Sequence, residues 1–246
     1  MGAQQDAKKV QEIARYSVDV IEKTAPQYEG VLLCEGNENS VDVRLYQAVY
    51  PNLLVIPVGG WSQVKNYHPL LKRKIGGYPV YGIIDRDSLL KNEIRRIKRS
   101  GIYCTKLPFI ENIISCPEIV RILCENCHKD YANSLSLVTK KLLKVLSKKL
   151  RDALPINIAL DPSEPVVAVT IRIRGAYGST VEKTVDEANI IYAYRDKAVA
   201  NEVSEVLGIL GRKRYYNFFI SALEDDEMRE KIVKAASKYL PQIEVK

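Results

Sequence analysis

Between residues 30 and 125 the chain repeats one pattern: a short apolar run, a turn, then a segment with helical spacing. The runs "GVLLCE" (30–35), "NLLVIPV" (52–58), "YPVYGIID" (78–85) and "GIYCTKL" (101–107) are short and bounded by Gly, Pro, Asn or Asp, which marks them as strands. Residues 40–50, a segment from about Ser62, and 88–100 read as helices, the last stopped by Gly101. "FIENIISCPEIVRILCENC" opens a further helical region. Strands that are apolar throughout and alternate with helices predict an α/β fold: a mostly parallel four-stranded sheet covered by helices on both faces.

The flanks read differently. Residues 7–24 place Val10, Ile13, Ala14, Val18 and Ile21 near one helical face. "SLVTKKLLKVLSKKLRDAL" is an amphipathic helix with Leu142, Leu143, Leu146 and Leu150 on its apolar side. "PVVAVTIRIRG" (165–175) alternates as a strand, "ANIIYAYRDK" (188–197) is a candidate second one, and helical segments lie near 196–209, 212–223 and 225–239. The expected division is an N-terminal helix over 1–27, an α/β domain over 28–128, and a mainly helical C-terminal region over 129–246 containing a short β-hairpin.

A formal charge of +7, with clustered basic residues, favours polyanions, of which phosphate backbones are the commonest. No run of 18 apolar residues occurs, and "MGAQQDAKKV" lacks the apolar core of a secretory signal, so a cytoplasmic location is expected. Five cysteines, several within apolar runs, point to reduced thiols rather than a disulfide framework. "CENCH" (124–128) spells the haem-attachment pattern, but neither a second axial ligand nor a zinc-type spacing accompanies it, so buried helix thiols are expected there.

Ligands of parallel sheets gather outside the carboxyl ends of the strands. Glu35 stands where the first strand ends, and Asp85 and Asp87 where the third ends. Strand residues at i and i+2 share a side, so Asp85 and Asp87 are expected to aim at one point with Arg86 turned elsewhere. With the first and third strands adjacent, Glu35 joins them, and three carboxylates at about 4–6 Å repel unless a cation neutralises them. An all-oxygen set of few ligands suits Mg²⁺. Glu111, opening a helix after the fourth strand, is a fourth candidate, with Asn112 as a cap or supporting partner. Asp42 is expected about two turns into the helix after Glu35. Gly36 and Gly59-Gly60 serve either tight turns or close backbone approach to a ligand.

At these residues the chain resembles the Toprim domain of topoisomerases, primases and overcoming-lysogenization-defect nucleases, whose signature is Glu-Gly after the first strand and Asp-x-Asp after the third. Here these are Glu35-Gly36 and Asp85-Arg86-Asp87. It more closely resembles the Toprim-like family called domain of unknown function 4435, through Glu35-Gly36, Ser40-x-Asp42, Tyr46, Pro57-Val58-Gly59-Gly60, Gly82-Ile83-Ile84-Asp85-Arg86-Asp87 and Ile110-Glu111-Asn112, in order over about residues 28–122. The resemblance implies a Toprim-like, Rossmann-like catalytic domain. It also implies a separate ABC- or SMC-like ATPase partner, since the chain carries no G-x-x-x-x-G-K-[ST] loop of its own. Several such ATPase–Toprim pairs are anti-phage defence systems in which the Toprim subunit is the toxic nuclease, so the resemblance implies that role here, and a homodimer is compatible with the group. Many Toprim proteins carry an acid three positions after the glycine. Asn39 stands there, which leaves open whether Glu38 or Asp42 serves the metal.

The expected activity is phosphodiester hydrolysis of DNA or RNA, tRNA included, with Mg²⁺ or Mn²⁺. Glu35, Asp85, Asp87 and Glu111 are the expected catalytic and metal-holding residues, with Asp42 and Glu38 as further ligands. The nucleic-acid backbone would meet Arg86; Lys91, Arg95 and Arg99 at helical steps of four; Lys140, Lys144 and Lys148 opposite the leucines; and Arg212, Lys213 and Arg214, beside which Tyr215 and Tyr216 could stack bases. Two other classes fit the same residues: a catalytically weak Toprim module that docks on an ATPase, and a primase-like nucleotidyl transferase.

Overall fold

The computed structural model describes residues 27–75, 78–87, 89, 91–153, 168–174, 180–186, 191 and 199–244. The expected helix over 7–24 lies outside them. The chain forms two compact units. The first takes described residues up to Asp85, then 91–106, then the chain from Leu240 on; the second takes 86–90 and Leu107–Tyr239.

The first unit is built on four parallel strands in the order β2-β1-β3-β4: β1 (Gly30–Cys34), β2 (Leu53–Pro57), β3 (Val80–Ile84) and β4 (Ile102–Cys104). In register, Val31 faces Leu54 on one side and Val80 on the other, and Gly82 faces Ile102. Val31, Leu32, Leu33 and Cys34 are all buried, because a central strand flanked by two neighbours has no solvent face. This explains why its sequence does not alternate. Helix α1 (Val41–Val49) packs on β2, α2 (Trp61–Lys74) on β1 and β3, and α3 (Lys91–Arg99) on β4. The step from β1 to β2 and the step from β2 to β3 run in opposite directions across the sheet. Right-handed crossovers therefore put α1 and α2 on opposite faces, as in Rossmann-like folds. The chain's last described residues return to this unit: Leu240 is buried, Tyr50 Oη donates to Pro241 O at 2.7 Å, and Tyr81 Oη donates to Glu244 O at 3.1 Å.

The second unit is mainly helical: α4 (Ile110–Ile114), α5 (Pro117–Asn126), α6 (Tyr131–Ala153), α7 (Val199–Val206), α8 (Arg212–Glu224) and α9 (Asp226–Ala236). Pro117 opens α5 at a position where its missing N–H costs nothing. Helix α5 packs on α6 and α9, and α7 on α4, α6 and α8, around Ile113, Leu123, Val138, Val203, Phe219 and Ile232. The division into units does not coincide with the expected boundary at 128. Helices α4 and α5 follow β4 in sequence yet bury their apolar faces against α7 and α9, and so belong to the second unit. Strand β5 (Ala168–Arg174) pairs antiparallel with β6 (Thr180–Asp186). The expected second strand at 188–197 lies, but for one residue, outside the described residues. Its one described residue, Ile191, is helical and buried. All five cysteines are free thiols, and Cys34, Cys116 and Cys124 are buried.

One histidine is part of the first unit's core. His68 of α2 is buried, with Nε2 2.9 Å from Val80 O, so this nitrogen carries its proton and donates. Gly101 makes room for the ring, since a Cβ there would come within 3.0 Å of it, and its φ of +87° excludes most side chains. Burial pulls the His68 pKa down, and the Val80 hydrogen bond opposes this only in part. The folded protein therefore binds this proton less readily than the unfolded chain. Its contribution to stability is complete above the unfolded value of about 6.5 and is lost as pH falls below it. Urea unfolding between pH 7.5 and pH 5 is expected to show stability falling with pH, as roughly that window brackets the histidine titration. A His68→Gln variant is expected to flatten the slope.

Candidate functional site

From β1 the chain steps to β2, and from β3 it steps to β4 on the opposite side. The strand order reverses between β1 and β3, and the crevice outside their carboxyl ends is where open α/β sheets bind ligands. Glu35 follows β1 and Asp85 follows β3 at that place. The two tips are joined directly, since the Asp85 backbone N–H donates to Glu35 Oε1 at 3.0 Å. Both side chains are half-buried.

The loop after Glu35 is held by glycines. Gly36 (φ +95°) and Gly59 (φ +102°) pair across the ends of β1 and β2, through Gly36 N to Gly59 O at 2.7 Å and the return bond at 3.2 Å. Asn37 then turns the chain, accepting Ser40 N at its carbonyl at 2.9 Å, so α1 starts only at Val41. Asp42 consequently lies in the first turn of α1, not two turns in, because residues 37–40 are spent on the turn. This brings Asp42 Oδ2 to 3.5 Å from where a Cβ on Gly36 would be. Glu38, on the turn itself, is exposed.

Two buried groups record how these carboxylates converge. Burial, then the charges of Asp42 and Glu35, push the Cys34 thiol far up, which leaves it protonated and inert. Burial, then Asp85 and Asp42, push the Tyr46 phenol well above its ordinary range. Asp42 thus acts on both groups, Glu35 on Cys34 and Asp85 on Tyr46. Tyr46 is a part of this site to which sequence reasoning gave no role. Its signal was its place four residues after Asp42 on one helix face.

The donors are all oxygen. Ser40 Oγ adds to them, being buried with no hydrogen-bond partner among the described residues. Among the described residues no group of three or more His, Cys, Asp or Glu is set to hold a metal ion. Mg²⁺ does not need such a cage, because it is commonly bound by one or two carboxylates with water and substrate phosphate completing its shell. The donor chemistry around Glu35, Asp42 and Asp85 fits that kind of ion.

The other expected residues divide between the two units. Lys91, Arg95 and Arg99 belong to the first unit and are exposed along α3, while Glu93 and Ile97 of the same helix are buried. Asp87 and Glu111 belong to the second unit. Strand β3 ends at Ile84, and Asp87 has a φ of +41° with its N–H on Pro108 O at 2.8 Å. The i, i+2 alternation that paired it with Asp85 therefore does not hold, because the backbone has already turned. Asp87 is exposed and Arg86 half-buried.

Glu111 is buried in the first turn of α4, and Tyr216 Oη donates to its Oε1 at 2.7 Å. Asn112 caps that helix, accepting Phe109 N at 3.2 Å, and donates through Nδ2 to Ile191 O at 3.0 Å. Lys140, Lys144, Arg212, Lys213 and Arg214 are exposed; the side chain of Lys148 lies outside the described residues. Tyr215 cannot stack a base as expected. It is fully buried, with Oη donating to Ile114 O at 2.6 Å. On α8 its position points inward, and the cations before it point out. Among the described residues no helix is long and apolar enough to cross a membrane.

A scan against protein-family models, a search of curated proteins and a search of solved structures each find no match to this chain.

Two substitutions test this geometry. Gly36→Ala would set a Cβ 2.3 Å from Ser40 Oγ at a φ of +95°, and is expected to cost about 1–2 kcal/mol from the backbone alone. Tyr216→Phe removes a hydroxyl donor from a buried carboxylate and is expected to cost about 1–3 kcal/mol. Urea unfolding followed by circular dichroism reads both.

Proposed function

We propose that this chain is a metal-dependent nuclease of the Toprim kind, related to the family called domain of unknown function 4435. The carrying observation is the direct contact between strand tips, Asp85 N–H on Glu35 Oε1 at 3.0 Å, at the point where the strand order reverses. Asp42 and the orphaned Ser40 Oγ extend that oxygen-only set. One or two of Glu35, Asp42 and Asp85, with water and substrate phosphate, would hold Mg²⁺ or Mn²⁺, which when bound supplies charge neutralisation at a phosphoryl oxygen and a water of lowered pKa.

The protein's own part is to fix these acids before substrate arrives. The Gly36–Gly59 pairing holds the Glu35 loop, and the Asp85 amide orients the Glu35 carboxylate. In this reading Glu35 accepts a proton from an attacking water. The cations of α3, and the +7 balance of the whole chain, favour a phosphate backbone as the substrate's handle. A separate ATPase partner and a role as toxic effector in anti-phage defence belong to the same reading, on the strength of the ordered motifs and the lack of a phosphate loop in the sequence.

The deciding experiment is a cleavage assay over single-stranded DNA, duplex DNA, RNA and tRNA, with Mg²⁺, with Mn²⁺ and with chelator. Wild-type protein is expected to cleave at least one substrate only with metal. Glu35→Ala is expected to lower that rate by about 100-fold or more, the lower end of what a general base contributes. Equal inertness of both proteins, with and without an ATPase partner, would leave a docking module in place of an enzyme.

A further inference from the structure

Trp61 is the only tryptophan in the chain, and it is not in the core. It is the first residue of α2 and is 46% exposed, although tryptophan is a highly buried residue on average. Its place is set by the Gly59-Gly60 turn. Gly59 is bonded in both directions to Gly36, the residue after Glu35, so the indole stands two residues from the loop that carries the candidate catalytic acid.

Its surroundings are polar and basic. Ser62, Gln63 and Asn66 are exposed, Lys65 follows one turn on, and the helix carries no acid, with Lys72, Arg73 and Lys74 at its far end. Lys65 Nζ lies 4.6 Å from the centre of the ring. An isolated aromatic ring among polar neighbours does not resemble the apolar centre of a protein interface. A second copy approaching through the same helix would also set four cations against four. An aromatic face beside a cation is, by contrast, the unit with which proteins hold unpaired bases: the ring stacks, and the cation meets the phosphate. Bases within a duplex already stack on one another and offer no free face.

We infer that Trp61, with Lys65, forms a stacking platform for an unpaired nucleobase, so that the nucleic acid brought to the Glu35 edge is single-stranded there. The inference rests on the nucleic-acid reading above and names its substrate class.

The test measures binding, not cleavage. Tryptophan emission of the full chain reports this ring alone, so the protein is titrated in chelator with a mixed-sequence single-stranded oligonucleotide and with the same sequence as a duplex. The single strand is expected to quench the emission, and the duplex to bind more weakly with little quenching. Trp61→Ala is expected to weaken single-strand binding by about 5- to 150-fold, and Trp61→Phe by much less. Thermal melts of both variants should match wild type, since the side chain is exposed.

Unchanged affinity in Trp61→Ala would overturn the inference. So would equal quenching by duplex, an absence of quenching by either form, or an emission shift that follows protein concentration without oligonucleotide, which would assign the ring to self-association. The outcomes separate the two proposals. Intact single-strand binding with no metal-dependent cleavage sinks the nuclease and keeps the platform. Intact cleavage with a silent Trp61 does the reverse.

Discussion

The first unit depends on one strand. β1 pairs on both sides, with β2 and with β3, and its four residues from Val31 to Cys34 are closed to water. Backbone groups so deeply buried must all be paired, and in a parallel sheet only neighbours in the correct register can do this. That requirement fixes where β1 and β3 end relative to each other. Glu35 and Asp85 are neighbours for this reason, before any ligand is considered.

The loops finish what the strands begin. Gly36 and Gly59 adopt backbone conformations that other residues rarely reach, and they use that freedom to tie two strand ends together. The glycine after the acid is thus a structural clasp. It lets the chain double back from β1 into α1 so tightly that Asp42 returns beside Gly36. Burial, and after it the charge of the carboxylates, keeps Tyr46 a protonated phenol and Cys34 a protonated thiol, so neither competes as a charged group at the site.

Much of the sheet was legible in the sequence because its strands are uninterrupted apolar runs bounded by glycine and proline, and that pattern has few other meanings. Adjacency of β1 and β3 was an assumption the sequence could not supply, since strand order is decided by crossovers and not by composition. Asp87 shows the limit of periodicity, because alternation predicts a side chain's direction only while the backbone stays extended. Tyr215 shows another, as adjacency to Arg212–Arg214 said nothing of which face of α8 each residue occupies. The division between units was missed because helical spacing in α4 and α5 reveals an apolar face but not the surface that will cover it. Trp61 carried a signal in its rarity and its place after two glycines, but exposure cannot be read from residue type.

The residues from Leu240 to Glu244 lend one more property to the molecule. They rest against Tyr50 and Tyr81, separated from them by 191 and 163 positions of chain. During synthesis the four strands emerge early, yet the segment that latches onto them leaves the ribosome only after the whole helical unit has been made. The edge that carries Glu35 and Asp85 is therefore made long before the segment that fastens its sheet, and a chain truncated between residues 112 and 239 carries Glu35, Asp42 and Asp85 on a sheet that this segment has not locked.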